Sequence, residues 1–163
     1  EVGFGMSQSA IKTIQQLNPA AINIGGANGT NFAVIERRRN RQAETLNIDQ
    51  FGLSTVESLI SAQIMQNQYP IIATGGIQSA NDVITSLMLG ATLVSSAGFM
   101  LKTLMDDGQS ALVQQIEGWQ SALPRLLTLL GAQSNQELAE KQRLYSPSLQ
   151  NFITQQKASP ENR

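Results

Sequence analysis

The feature that most restricts the fold of this chain is a repeated unit: a short apolar run, a small-residue turn, then a helix signal. Ile71-Ile72-Ala73-Thr74 leads directly into Gly75-Gly76-Ile77, and Thr92-Leu93-Val94 leads into Ser95-Ser96-Ala97-Gly98. Between the two, residues 78–90 read as one helix. Ser79-Ala80-Asn81-Asp82 has capping-box spacing, Val83, Ile84, Leu87 and Met88 share a face, and Gly90 suits a C-terminal stop. Small side chains behind a buried strand let an anion approach backbone N–H groups closely. Two such turns side by side form the phosphate pocket of the last two strands of a β/α barrel, together with the N-terminus of a short extra helix. Residues 98–104 are the candidate for that helix. Taken singly, Gly75-Gly76 also fits a tight strand-to-helix turn that binds nothing, and Ser96 and Ala97 also fit residues kept small for packing. The second turn, in register with the first, favours a phosphorylated ligand.

The same alternation runs through the chain. Residues 2–5 are strand-like, and Ser7 is placed to cap a helix carrying Ala10, Ile11, Ile14 and Leu17, which Asn18-Pro19 stops. Residues 20–24 form an apolar run bounded by Gly25-Gly26, and a long polar connection follows over 27–52. Ser54-Thr55-Val56-Glu57 has capping-box spacing ahead of a helix with Leu59, Ile60, Ile64 and Met65. Strands are expected over 69–74 and 92–95, then helices over 109–119, 122–130, 136–141 and 148–156. The expected organisation is α/β: half-barrel units with phosphate turns over 1–105, C-terminal helices packing on them over 106–157, and a polar, fraying tail over 158–163. Four near-continuous apolar strands, each followed by a helix, predict a parallel sheet covered on both faces. Four such βα units are half of a (β/α)8 TIM barrel. A flavodoxin-like open sheet is the alternative, and the paired turns favour the C-terminal half of a barrel.

Composition narrows the chemistry. The chain has 163 residues, 41% of them hydrophobic, enough for one sizeable core. A net charge of −1 and 5% aromatic content argue against nucleic acid as a partner. There is no His and no Cys, which removes the commonest general base and thiolate metal sites and suits a reducing, cytoplasmic setting. No apolar run is long enough to span a bilayer, so no membrane association is expected. A chain that starts inside a strand reads as a piece whose earlier part is missing. Arg37, Arg38, Arg39 and Arg41 make a cationic patch that either reaches a diphosphate or is a solvated loop face. Glu36 and Glu44 have no partner at catalytic spacing and read as surface or structural groups. Trp119 reads as core or interface, and Asp106 and Asp107 as the start of a helix.

Glu1-Val2-Gly3-Phe4-Gly5-Met6-Ser7, Gly29-Thr30-Asn31-Phe32-Ala33, Ile35-Glu36, Ala73-Thr74-Gly75-Gly76-Ile77 and Leu89-Gly90-Ala91 resemble the type 2 isopentenyl-diphosphate isomerases, which are flavin-dependent β/α barrels. Residues 126–132, Glu137-Leu138 and Ser146-Pro147-Ser148-Leu149 resemble the closing helices of that family. The resemblance keeps its order over nearly the whole chain and corresponds to the C-terminal half of the barrel. It implies an enzyme with FMN and Mg²⁺ as cofactors and NADPH as reductant. Its reaction would interconvert isopentenyl and dimethylallyl diphosphate, a small-molecule allylic diphosphate being the substrate and a homo-oligomer the assembly. The FMN phosphate would meet Gly75, Gly76, Ile77, Ser96 and Ala97, and the hydroxyl of Thr30 would meet the flavin; Thr30 equally suits a loop hydroxyl that satisfies its own backbone. The resemblance puts a flavin-contacting Lys just before residue 1, and the His, Gln and Glu that meet diphosphate and Mg²⁺ in a preceding half. No catalytic or metal residue is therefore expected in this segment. Asn23 and Gly25 stand where the family often has an acid and a serine, Phe51-Gly52 stands for its Trp-Gly, and Ser54 for its Pro. The alternatives are another FMN-dependent barrel oxidoreductase, or a non-enzymatic phosphate-binding half-barrel that dimerises through its edges.

Overall fold

Apolar runs flanked by helices with strong N-caps pair here into a parallel sheet. The computed structural model describes residues 3–39 and 51–159. In chain order the elements are α1 (Gln8–Gln15), β1 (Ile22–Gly25), α2 (Phe32–Arg39), α3 (Thr55–Ile64), β2 (Ile71–Thr74), α4 (Ala80–Met88), β3 (Leu93–Val94), α5 (Gly98–Leu129), α6 (Asn135–Glu140) and α7 (Pro147–Lys157). The strands lie side by side in the order β1-β2-β3. Both pairings are parallel, with Ile24 opposite Ala73 and Ala73 opposite Val94. This is a partial β/α barrel.

The sheet departs from expectation in two ways. Only one face is covered. Ile22, Ile24, Ile71 and Ala73 are buried beneath the helices, whereas Asn23 is exposed and Leu93 is 61% exposed. Successive strand residues alternate between faces, so the Asn23–Ile72–Leu93 row lies on the open side, which is the interior side of a barrel. The second departure is at residues 2–5. Glu1 and Val2 lie outside the described residues, and Gly3 and Gly5, at φ 124° and 76°, bend the chain instead of extending it. Among the described residues there are three strands, not four. The bent segment still touches the end of β1 and the entry to α3: the Gly5 N–H donates to the Gly25 carbonyl at 3.0 Å and the Leu53 N–H to the Phe4 carbonyl at 2.7 Å.

The helices follow their caps. Ser54 and Glu57 form the full reciprocal box of α3, at 3.2 and 2.7 Å. At α4, Ser79 accepts the Asp82 N–H, while the Asp82 carboxylate accepts from the Gln78 N–H at 3.0 Å and the Ser79 hydroxyl at 2.8 Å. Gly90, at φ 89°, ends α4 with its N–H on the Leu87 carbonyl and the Ala91 N–H on the Ser86 carbonyl, a Schellman stop. The 27–52 connection contains α2, which the polar composition concealed; the Asn31 side chain accepts the Val34 N–H at 3.2 Å as an N-cap does. Residues 40–50, with Arg41 and Glu44, lie outside the described residues, as do residues 160–163 of the expected tail.

α5 is kinked at Gly108, at φ 86° and ψ 177°, into helical stretches over 98–107 and 109–129. The expected gap between Trp119 and Ala122 is absent, and Pro124 sits inside the second stretch. Leu123, Leu126 and Leu127 hold that stretch against Ile84, Ala132 and Leu138, which outweighs the lost N–H donor. Asp106 and Asp107 close the first stretch; they do not open the second. The main core lies under the sheet, where Ile11, Leu59, Ile60, Leu89 and Ile153 meet the inward strand residues.

β3 has an unpaired outer edge among the described residues, and Leu101 and Met105 on the neighbouring α5 are 57% and 76% exposed. Unpaired edges beside apolar surface favour association, and a net charge of −1 opposes it weakly. The purified chain is expected to self-associate in sedimentation velocity across a dilution series. A clean monomer at every concentration would show that the edge is protected.

Candidate functional site

The carboxyl ends of the three strands open into one cleft of about 410 Å³. Thr30, Gly75, Gly76, Ile77, Ser96 and Ala97, the six residues singled out from the sequence, all line it. Its floor is the turn after β2. Gly75 and Gly76 have φ of 87° and 75°, values that other residues adopt only with strain. A Cβ on Gly75 would lie 3.1 Å from the Gly26 nitrogen, and one on Gly76 would lie 2.6 Å from the Asn28 Cβ. The glycines are thus required by the turn itself as well as by any anion that approaches it.

The two turns are tied together. The Ser96 hydroxyl donates to the Ile77 carbonyl at 2.7 Å. No acceptor among the described residues meets the backbone N–H groups of Gly75, Gly76, Ile77, Ser96, Ala97 or Gly98. The last of these opens α5, whose N-cap, Ala97, offers no side-chain acceptor. Ser7, Ser54, Ser79, Ser134 and Ser146 cap α1, α3, α4, α6 and α7 with their side chains. The helix end that faces the cleft therefore keeps its free donors and its positive dipole end. The Thr30 hydroxyl makes no hydrogen bond among the described residues, so it does not serve its own backbone.

Thr55, 5% exposed, is the residue that sequence reasoning missed. Its hydroxyl accepts the Gly26 N–H at 3.1 Å and lies 2.7 Å from the Gly75 carbonyl and 3.0 Å from that of Thr74. One side chain thus locks the ends of β1 and β2 that carry the cleft floor. Nothing in the sequence marks Thr55 apart from its place behind the Ser54 cap.

Among the described residues, the cleft lining contains no charged side chain. Arg37, Arg38 and Arg39 end α2, and Arg39 pairs with Glu36 at 3.1 Å on an exposed surface. Lys102, held above its ordinary pKa chiefly by its hydrogen bond with Asp106, lies outside the lining. Phe99, which does line the cleft, stacks on Trp119 with ring centroids 6.1 Å apart. Among the described residues, no group of three or more His, Cys, Asp or Glu could hold a metal ion.

Residues 48–145 match the family model of FMN-dependent dehydrogenases. The chain is 48% identical over 157 residues to the isopentenyl-diphosphate delta-isomerase of Lactococcus lactis subsp. lactis, an alignment covering 96% of this chain and 45% of that protein. It is 41% identical over 156 residues to the isopentenyl-diphosphate delta-isomerase of Limosilactobacillus reuteri subsp. reuteri, covering 95% of this chain and 45% of that protein. The chain thus spans less than half the length of these curated relatives. Among solved structures, a lactate oxidase of Pediococcus acidilactici superposes with a TM-score of 0.63 at 19% identity, over 85% of this chain and 35% of that one. At that identity the likeness concerns the fold alone.

Proposed function

The chain belongs to the FMN-dependent dehydrogenase family, and from that premise we propose that its cleft holds the phosphate end of FMN in an isomerase that interconverts isopentenyl and dimethylallyl diphosphate. The observation that carries the reading is the pair of joined turns, with six backbone N–H groups that meet no acceptor among the described residues. Charge-assisted N–H contacts are among the stronger hydrogen bonds, and the dipole of α5 adds to them. Gly75, Gly76 and Ile77 would take the phosphate from one side, and Ser96, Ala97 and Gly98 from the other. The Thr30 hydroxyl, on the β1 side, is free to meet the flavin, and Phe32 and Phe99 give the cleft apolar walls. When bound, FMN supplies the redox-active ring on which the proton transfer of the isomerisation depends. Similarity to isopentenyl-diphosphate delta-isomerases over nearly all of this chain supports the choice of reaction.

NADPH as reductant, a homo-oligomeric assembly and a cytoplasmic setting belong to the same reading; no helix among the described residues is long and apolar enough to cross a membrane. Mg²⁺ belongs to the same reading as well, as the ion that would meet the substrate's diphosphate. The description of the family favours one second reading, a flavin oxidoreductase. In a chain that also carries the diphosphate-binding groups, anaerobic reduction by NADPH followed by assay for dimethylallyl diphosphate separates the two.

The cradle itself is tested with two ligands. FMN is expected to bind the chain at least about tenfold more tightly than riboflavin, which lacks the phosphate, since a single charge-assisted hydrogen bond contributes about 1.5–3 kcal/mol. Flavin fluorescence titration reads both constants. Equal affinities would mean that the turns hold no phosphate.

A further inference from the structure

We propose that Trp119 is a positioning residue for the phosphate cradle, which it serves by holding Phe99 and, with it, the front stretch of α5. The inference rests on the flavin reading above and names what keeps one side of that site in place.

The aromatic stack shows how α5 is folded. Phe99 precedes the kink at Gly108 by nine residues, and Trp119 follows it by eleven. On one straight helix the two residues would stand about 30 Å apart, at 1.5 Å per residue. Their ring centroids are 6.1 Å apart and their planes 4° off parallel. The front stretch, 98–107, therefore doubles back along the start of the rear one. A cavity of about 210 Å³ behind the turns agrees with this arrangement. Met100 lines it from the front stretch, Ile116 and Trp119 from the rear one, and Ile77 and Ser96 from the turns themselves.

The two stretches are held unequally. Leu123, Leu126 and Leu127 seat the rear one against Ile84 and Leu138. No residue of α5 is fully buried, and on the front stretch Leu101 and Met105 are exposed. The joint between them is a glycine with open space where a Cβ would sit, so no packing there fixes the angle. Yet the front stretch opens with Gly98, whose N–H faces the cleft without an acceptor among the described residues, and with Phe99, which lines the cleft. The place of that donor thus depends on side-chain contacts across the hairpin. Stacked rings at this distance attract one another beyond the area they bury. Trp119 is not in the cleft lining, so it reaches a ligand only through Phe99 and the turns. A plain packing role would stabilise α5 with no preference among ligands, and the experiment separates the two.

The main variant is Trp119→Leu, which keeps an apolar side chain on the rear stretch and removes the stack; Trp119→Phe keeps a ring. FMN and riboflavin are titrated into each purified chain by flavin fluorescence. Trp119→Leu is expected to weaken FMN binding at least about tenfold, the equivalent of one charge-assisted hydrogen bond, with riboflavin changed less than about threefold and most of the FMN affinity restored in Trp119→Phe. In a Phe99→Leu background, Trp119→Leu is expected to have little further effect, because it acts through that ring. Hydrogen exchange gives a readout without ligand. Amides over 98–107 are expected to exchange faster in Trp119→Leu, and those over 123–127 to stay as in wild type. FMN and riboflavin weakened alike, or protection lost equally from both stretches, overturns the proposal by making Trp119 a general packing residue. A wild-type preference for FMN over riboflavin that Trp119→Leu leaves intact overturns this proposal alone. A wild-type chain without that preference overturns the flavin reading and this proposal with it.

Discussion

Gly26→Ala is expected to unfold the chain or to leave it far less stable than wild type. A Cβ at this position would lie 1.9 Å from the Thr55 nitrogen, 2.4 Å from the Ser54 carbonyl carbon and 2.6 Å from the Thr55 Cα. All three are backbone atoms, so no rotamer change relieves the overlap. Either the end of β1 or the first turn of α3 must move. Such a movement pulls the Gly26 N–H from the Thr55 hydroxyl, now 3.1 Å away, and leaves a buried donor without a partner. Overpacking costs about 1–3 kcal/mol, sometimes more, and an unsatisfied buried donor adds about 1–3 kcal/mol. The sum is a large part of the roughly 5–15 kcal/mol that keeps a domain folded. Urea unfolding followed by circular dichroism measures it. A midpoint close to wild type would mean that β1 and α3 do not approach as closely as described.

Gly76→Val is expected to abolish most flavin binding while leaving the fold in place. The side chain would start at a φ of 75°, which a β-branched residue strongly disfavours, and its Cβ would meet the Asn28 Cβ at 2.6 Å. Relief requires the turn to swing, and the N–H groups of Gly76 and Ile77 swing with it. Two charge-assisted hydrogen bonds at about 1.5–3 kcal/mol each correspond to at least a hundredfold in affinity. Asn28 is exposed, so the side of the turn that must yield is the soft one, and the far-ultraviolet spectrum is expected to stay near wild type. Flavin fluorescence gives the dissociation constant. An unchanged value with an intact spectrum would reduce the turn to a structural element.

The legible parts of this chain were those written in local spacing. Ser54 to Glu57, Ser79 to Asp82 and Gly90 each act over three or four residues, and each is found where the spacing puts it. The turns after β2 and β3 were legible for the same reason: a strand followed at once by small residues leaves few geometries open. What was hidden depends on distant partners. Residues 2–5 read as a strand because Val2 and Phe4 alternate with glycines, yet Gly3 and Gly5 take left-handed conformations that no pattern of hydrophobicity reveals. α2 lies in a polar stretch with three arginines, where only Asn31 announces a helix. The continuity of α5 through Pro124 follows from packing on Leu138, far along the chain. Thr55 ties the strand ends together only because Gly26, 29 residues away, comes to meet it.

The kink at Gly108 gives α5 freedom of a kind that the other helices lack. A residue gained or lost inside a helix rotates everything beyond it by about 100°, so an insertion in the rear stretch would turn Leu123, Leu126 and Leu127 away from the core. The place where a Cβ on Gly108 would sit has nothing within 4 Å, and the backbone there, at φ 86° and ψ 177°, is non-helical. The chain can lengthen or shorten at that joint without disturbing the phase of either stretch. Over generations, the front stretch, which opens in the cleft wall, can therefore be resized and re-aimed while the rear one keeps its seat.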